Sequence, residues 1–337
     1  MSTTPPTSGS TVDALFCGTA FLDVVLGGVG ELPEAGTEVW AQRRVLCPGG
    51  TANNAVAAAR LGLHTALVAA VGRDEAGDVV WSSLEREDHL DLRWTSRTAG
   101  LETPVTVSIT DGHDRRFISH GTLAAGPTAE VVSTLPRSLA CFTSLDTEVP
   151  AWVRAQRASG SVAFGDVGWD AHTGWSPAVL DNLTQLDVFV PNETEAMAYT
   201  GADTPREALR ALADRVPLAV ITRGRRGAIA LDSGSGEEVV VHGVAGPAVD
   251  PTGAGDIFVV ALMRATLAGL PLRERLTFAA LCAGLSVRSL GGSASAPTVH
   301  DLRGWLAGPR PRGHAGRYDF LPALLASPTP ASPMKET

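Results

Sequence analysis

The sequence predicts an α/β protein, in which a mostly parallel sheet carries helices on both faces and a small β-sheet stands beside it. Three observations carry that expectation. From residue 139 onward, short apolar runs alternate with helical segments, the rhythm of βα units in a parallel sheet. Residues 36–46 and 91–120 instead alternate polar and apolar positions, as strands of a separate sheet do. The stretch Val249-Asp250-Pro251-Thr252-Gly253-Ala254-Gly255-Asp256 reads as a strand end, a small-residue turn and a helix start. It runs into Ile257–Leu262, apolar on every side and therefore a buried helix.

The 337 residues are 44% hydrophobic, enough for one large domain or two ordinary ones. A net charge of −9 argues against nucleic acid or an anionic membrane as the main partner, but leaves room for a small anionic substrate. Cys17, Cys47, Cys141 and Cys282 lie far apart, so neither a zinc site nor a disulfide framework is indicated, and free thiols in a reducing cytoplasm are expected. Arg60 and His64 interrupt the most apolar run, and the N-terminus shows no signal-peptide pattern. Lysine occurs once, at Lys335. A P-loop, a protein-kinase site or Schiff-base chemistry would each need a lysine in the folded body. Phosphate here must be met by arginine, a metal ion or backbone N–H groups.

The elements follow in order. Residues 1–10, rich in Ser, Thr, Pro and Gly, are expected to be disordered. Ala14–Thr19 is a buried strand leading to Asp23, a carboxylate just beyond a strand end, where open α/β sheets bind ligands; a turn aspartate is the alternative. Lid strands are expected within 24–47. Pro48-Gly49-Gly50-Thr51-Ala52-Asn53-Asn54 opens a helix over Ala55–Leu61, closed by Gly62. Asn53 and Asn54 either cap that helix or hydrogen-bond a polyol. Thr65–Val71 is a strand ending at Gly72…Gly77, followed by a helix to about Asp88. Thr103–Ile109 and Arg115–His120 are antiparallel strands joined at Asp111-Gly112. With 36–46 they form the small sheet, which suits a lid over a pocket, a dimer face, or both.

Strands at 139–145, 161–166, 187–190 and 218–222 alternate with helices near 150–158, 176–183, 193–200 and 205–214. Asn192 and Glu195 stand three apart at a helix start, so both can face one side. Thr222-Arg223-Gly224-Arg225-Arg226-Gly227 is a basic glycine turn, suited to nucleotide phosphates or to a tight hairpin. Strands near 228–231 and 238–242 precede helices at about 252–268 and 273–289, and then a loop, 291–297, rich in carbonyls and hydroxyls. Residues 308–337, mostly Pro, Gly and Ala, are expected to form a loose tail, leaving 11–307 as the domain.

The turn at 253–255 carries the chemistry. A helix start offers unpaired N–H groups and partial positive charge, and small residues let an anion approach them. Asp256 would lie beside that anion. A phosphate cradle next to a carboxylate suits transfer of a phosphoryl group to a hydroxyl. A plain helix cap, with Asp256 only complementing the dipole, is the alternative. The dipole is also expected to lower the Asp256 pKa.

Taken together, these residues resemble the ribokinase-like (PfkB) carbohydrate kinases over residues 12 to 303. The match rests on Asp23, Gly49-Gly50…Asn53, Gly72…Gly77, Asn192…Glu195, Thr222-Arg223-Gly224 and Asp250–Asp256, in that order. The resemblance implies a ribokinase-like three-layer sandwich with a β-sheet lid, and ATP-dependent phosphorylation of a sugar hydroxyl. It implies Asp256 as catalytic base and Gly253, Ala254 and Gly255 as anion hole. Asp23, Gly49, Gly50 and Asn53 would hold the sugar, and Asn192 and Glu195 would organise Mg²⁺ and phosphate through water. Thr222, Gly224 and Gly227 would line the nucleotide site. Asp250, Thr252, Ser286, Ser289, Gly291 and Ser295 match positions that hold a monovalent cation such as K⁺. The Gly-Gly to Asn spacing is one residue shorter than in ribokinase itself, Pro251 stands where Thr is common, and Val260 where glycine is. Asp146 or Glu148 would supply a further sugar contact. A nucleoside kinase on the same scaffold, and a sugar-binding regulatory protein without catalysis, are the competing expectations. The partners expected are a small-molecule acceptor, no nucleic acid, no membrane and a second copy meeting at the lid.

Overall fold

The computed structural model describes residues 11–110, 115–123, 126–145, 148–168, 174–244, 246–308 and 316–326. The expectations for residues 1–10, the Asp111-Gly112 turn, Asp146 and Lys335 lie outside the described residues.

In chain order the strands are β1 (Thr11–Cys17), β2 (Ala20–Gly27), β3 (Arg43–Gly50), β4 (Thr65–Val68), β5 (Ala70–Gly72), β6 (Leu90–Asp91), β7 (Ser96–Thr98), β8 (Val105–Thr110) and β9 (Arg115–His120). They continue as β10 (Arg137–Ser144), β11 (Val162–Asp166), β12 (Val188–Phe189), β13 (Leu218–Thr222), β14 (Ala228–Asp232) and β15 (Glu238–Val241). The helices are α1 (Thr51–Arg60), α2 (Glu75–Leu84), α3 (Ala129–Ser133), α4 (Ala151–Ala158), α5 (Ala178–Asp181) and α6 (Glu193–Thr200). After these come α7 (Pro205–Ala213), α8 (Ala254–Leu267), α9 (Leu272–Ser286), α10 (Val299–Ala307) and α11 (Leu321–Ala326).

Nine strands form the main sheet in the order β15-β14-β13-β12-β11-β10-β1-β4-β6. The pairs from β6 through β13 are parallel, and β14 and β15 run antiparallel at one edge. Each face has its own core, because side chains of a strand alternate between faces. Phe16, Phe142, Phe164 and Val220 pack under α1, α8 and α9. Leu15, Cys141, Phe189 and Ile221 pack under α4, α6 and α7 on the other face. That is the three-layer sandwich. The chain leaves β1 in one direction toward β4 and returns on its other side through β10, so β1 and β10 flank the switch point where such sheets bind ligands. No helix among the described residues is long and apolar enough to cross a membrane.

The small sheet has the order β3-β2-β8-β9. Thr110 pairs with Arg115 at the end of the β8–β9 hairpin. Its first two strands differ from expectation. They occupy 20–27 and 43–50, and 28–42 carries no strand. Asp23 therefore sits within a strand rather than beyond one, and β3 runs through Gly49 and Gly50 before α1 begins at Thr51. Asn53 and Asn54 are helical, not caps; the N-cap is Gly50, with no side-chain cap.

The loose tail is corrected for 316–326. Tyr318, Leu321, Leu324 and Leu325 are buried in the core beneath α8 and α9. The Arg264 guanidinium, at the buried end of α8, donates to the Leu324 carbonyl at 3.1 Å. Arg303 donates to Leu325 O at 2.9 Å, and Trp305 meets Tyr318 edge-on at 4.8 Å. A composition average over the segment hid four apolar residues spaced to cover a helical face.

Candidate active site

The turn before α8 is held from beneath. Asp250, 1% exposed, accepts from Thr252 N at 2.9 Å and from Gly291 N at 2.8 Å, tying the turn to the 291–297 loop. Gly253 is left-handed at φ +73°, and a Cβ there would stand 2.9 Å from Gly292 Cα. Both facts require glycine. α8 has no side-chain cap, so its mouth is not closed from within the chain. Ala254 N–H donates to Pro251 O at 3.2 Å, which removes it from the donors facing outward. Gly255 is exposed, with nothing within 4 Å of where its Cβ would stand. An anion has open access there.

Asp256 lies in the first turn of α8. Its pKa is pushed up to about 6 by burial, against the pull of the Asn53 and Asn54 side chains and of Arg115. This corrects the expected lowering: the loss of hydration outweighs the helix dipole. Asn54 Nδ2 has no hydrogen-bond partner among the described residues, so its influence on Asp256 reflects proximity rather than a formed bond. Asn53 Oδ1 accepts from Ser293 N at 2.8 Å, which commits the oxygen and leaves the amide nitrogen for Asp256. Ser293 Oγ donates to Pro48 O at 2.5 Å and joins the end of β3 to the same loop.

Asp23 reaches this point from β2. It is 6% exposed, and burial, then the charges of Asp256 and Asp250, raise its pKa to about 7. A Cβ on Gly49 would stand 2.2 Å from Asp23 Oδ2. Gly50 has φ +61°, and a Cβ there would stand 2.4 Å from Thr19 O. Asp23, Gly49, Gly50, Asn53 and Asp256 thus come together from four elements, β2, β3, α1 and α8. Of the two carboxylates considered alongside them, Glu148 is exposed.

Asn192 and Glu195 are first of all a capping box at the start of α6. Asn192 N–H donates to Glu195 Oε2 at 2.8 Å, and Glu195 N–H to Asn192 Oδ1 at 3.0 Å. Two residues that the sequence reading missed stand close by. Asp166 ends β11, its Oδ1 accepting from Val167 N at 2.8 Å. Burial, then the charges of Glu195 and Asp256, hold its carboxyl well above the usual range. Burial likewise raises Glu195, opposed by its Asn192 bonds and Arg115. The rule that drew attention to Asp23, a carboxylate at a strand's C-terminal end, would have found Asp166 in Phe164-Gly165-Asp166. Arg115, half-buried on β9, carried no such signal.

Thr222 and Asn192 form a bridge between neighbouring segments. Gly224 and Gly227 have φ +52° and +84°, and a Cβ on Gly227 would stand 2.1 Å from Val241 O, so this turn is also a tight one. A cavity of about 290 Å³ opens here between Thr222, Gly224, Gly227, Ala254, Gly255 and Phe258. A larger cleft of about 770 Å³ lies on the outer side of the 293–298 loop and reaches none of the carboxylates at 23, 166, 195 and 256.

The segments expected to hold a monovalent cation are adjacent, but several of their groups are engaged. The Asp250 carboxylate serves two backbone amides. Ser286 Oγ donates to Ala283 O and Ser295 Oγ to Gly292 O, each at 2.9 Å; Thr252 Oγ1 lies 3.4 Å from Ser108 Oγ. Ser289 N–H and Ser295 N–H donate to the carbonyls of Ser286 and Gly291. No group of three or more His, Cys, Asp or Glu suited to a metal occurs among the described residues.

The chain is similar to known proteins over most of its length. The family model described as pfkB family carbohydrate kinase matches residues 29–299. A ribokinase of Schizosaccharomyces pombe is 29% identical over 275 residues, covering 76% of this chain and 85% of the relative. A nucleoside kinase of Methanothermobacter thermautotrophicus is 30% identical over 295 residues, covering 85% and 92%. The structure of Arabidopsis thaliana ribokinase complexed with ribose and ATP superposes with a TM-score of 0.70 at 23% identity, covering 89% of this chain and 100% of that one. The chain belongs to the pfkB family of carbohydrate kinases, phosphotransferases that take an alcohol group as acceptor.

Proposed function

We propose that this chain transfers the terminal phosphoryl group of ATP to a primary hydroxyl of a sugar. The observation that carries the reading is the meeting of Asp23, Asn53 and Asp256 beside an uncapped helix mouth. Asp23 and Asn53, with the close backbone of Gly49 and Gly50, hold the acceptor's hydroxyls. Asp256 takes the proton of the attacking hydroxyl as its oxygen bonds to phosphorus and the bond to the β-phosphate oxygen breaks, releasing ADP. A base with a pKa near 6 is ionised at neutral pH and still basic enough to accept that proton. The N–H groups of Gly253 and Gly255 stabilise the phosphoryl oxygens, with the small side chain of Ala254 leaving them accessible. Thr222, Gly224 and Gly227 line the nucleotide's place.

Asp166 and Glu195, with Asn192 orienting Glu195, suit Mg²⁺ held partly through water. The charge of Glu195 raises the proton affinity of Asp166, a pairing that a cation would relieve, and a hard divalent ion prefers oxygen donors. When bound, Mg²⁺ neutralises phosphate charge. The oxygens of Thr252, Ser286, Ser289, Gly291 and Ser295 are the proposed place of a K⁺.

Replacement of Asp256 by Asn tests the assignment. Turnover of ATP with a sugar is expected to fall by several orders of magnitude with ATP affinity nearly unchanged, and wild-type turnover would refute it. A nucleoside acceptor is the second reading, favoured by the likeness to the nucleoside kinase. ADP release across ribose, fructose, adenosine, inosine and pseudouridine separates the two. Sugar binding without ADP release would favour a silent regulatory protein instead.

A further inference from the structure

We propose that Arg60, at the end of α1, is a positioning residue for the acceptor: its guanidinium fixes the turn at 293–296, and through Ser293 that turn fixes the side chain of Asn53. Acceptor binding then depends on a side chain that touches neither substrate. The inference rests on the kinase reading above. Its grounds are the hydrogen bonds that join α1, Glu87 and the turn.

Asn53 and Arg60 lie about two turns apart on α1, so both project from one side of the helix. Both meet the same residue. Ser293 N–H donates to Asn53 Oδ1 at 2.8 Å, and Arg60 Nη1 donates to Ser293 O at 3.0 Å. The same Nη1 reaches Ala294 O at 2.9 Å and Ala296 O at 3.3 Å. One helix thus grips the peptide groups on both sides of Ser293, which is 1% exposed. The bond from Ser293 decides how the Asn53 amide is turned: its oxygen is committed, and the nitrogen is left for Asp256. A shifted Ser293 would free the amide to rotate and set an oxygen against a carboxylate. The packing leaves little slack, since a Cβ on Gly292 would stand 2.9 Å from Asn53 Oδ1. Gly292 also backs onto Gly253 of the anion hole, so the turn sits between the acceptor's amide and the phosphate cradle.

Glu87, just beyond α2, aims the guanidinium. Arg60 Nε donates to Glu87 Oε2 at 2.9 Å and Nη2 to Oε1 at 2.7 Å, a two-pronged pair that turns Nη1 toward the loop. The two side chains are only 23% and 16% exposed, so water and salt screen them less than a surface pair. Three carbonyls converging on one point carry like partial charges, and a fixed positive charge draws them together. An ammonium is a point charge without the planar fork, and it cannot hold the carboxylate and the turn in one geometry. Arg60, Glu87, Ser293 and Ala294 line the outer cleft of about 770 Å³, the side of the turn away from the site's carboxylates. The effect of Arg60 on the acceptor is therefore indirect. Its acceptors also lie on other segments, so it does more than complement the dipole at the end of its own helix.

The test compares wild type, Arg60→Ala, Arg60→Lys and Glu87→Gln in the full chain, with Asn53→Ala and the double variant Arg60→Ala/Asn53→Ala. Steady-state kinetics with whichever of ribose, fructose or adenosine is turned over reads the acceptor, and calorimetric titration reads Mg-ATP. Arg60→Ala is expected to raise acceptor KM about tenfold or more while Mg-ATP affinity changes less than about twofold. Arg60→Lys and Glu87→Gln should show smaller rises in the same direction. Asn53→Ala already lacks the amide, so adding Arg60→Ala to it should lower kcat/KM for the acceptor by no more than about twofold. Thermal melts identify the folded variants, and Glu87→Gln carries the test if Arg60→Ala does not fold. An unchanged acceptor KM in the folded variants, an equal loss of acceptor and Mg-ATP binding, or full additivity with Asn53→Ala overturns the proposal. Any of these beside an inactive Asp256→Asn leaves the kinase assignment standing. An active Asp256→Asn removes the assignment and this inference with it.

Discussion

The Asp23 carboxylate fills the space that a side chain on Gly49 would need: a Cβ there would stand 2.2 Å from Oδ2 and 2.3 Å from Cγ. Neither partner can yield easily. Both lie in paired strands, and Asp23 is almost fully enclosed. Gly49→Ala should therefore displace the carboxylate rather than merely crowd it. Acceptor KM is expected to rise at least tenfold, with a stability loss of about 1–3 kcal/mol typical of overpacking. Steady-state kinetics and thermal melts check both, and an unchanged KM would mean that Asp23 does not touch the acceptor.

Asp23 also makes stability depend on pH in a direction that can be worked out. Its folded pKa, about 7, lies above the ordinary carboxylate value near 4. Between those values the folded state binds more protons than the unfolded state, so this group's contribution to stability falls as pH rises from about 4 to 7 and is constant beyond. Asp23→Asn cannot ionise. It should match wild type near pH 4 and exceed it above pH 7 by an amount on the order of a few kcal/mol, while losing acceptor binding. Denaturant melts across that range would show the divergence, and parallel curves would contradict it.

The rate should report the Asp23–Asp256 pair as well. Protonation of Asp256 removes the base, so kcat/KM is expected to drop about tenfold per pH unit below an acid limb between pH 6 and 7. Had the helix dipole prevailed, the limb would lie below pH 4. In any residual activity of Asp23→Asn the limb should move down, because a neighbouring negative charge is gone.

The lid has a second face. On the edge strand β9 that face presents Ile118, 66% exposed, and Trp40, ahead of β3 at the sheet's other edge, is 83% exposed. An edge strand with unpaired backbone groups is a ready surface for another chain, and a second copy of this chain meeting it is the proposed occupant. Ile118→Glu and Trp40→Ala are expected to weaken self-association at least tenfold in sedimentation. A wild type that remains monomeric at high concentration would contradict the proposal.

Local signals account for what the sequence alone determined. The βα rhythm set out both layers of helices and the parallel sheet, because strand and helix periodicities are written in neighbouring residues. Gly253 needed only its own turn to be recognised, and Asp23, Asn53 and Asp256 were singled out by position relative to strand ends and helix starts. Other features depend on segments far apart in the chain. Tertiary structure decided that Asn53 faces Asp256 instead of capping its helix. It also raised the Asp256 pKa by burial where the helix dipole alone would lower it. Asp166, from β11, and Arg115, from the lid, joined the site only through folding, and α11 became core because its apolar face found α8 and α9. Desolvation and long-range charge are sums over surrounding atoms, and a linear pattern does not contain those surroundings.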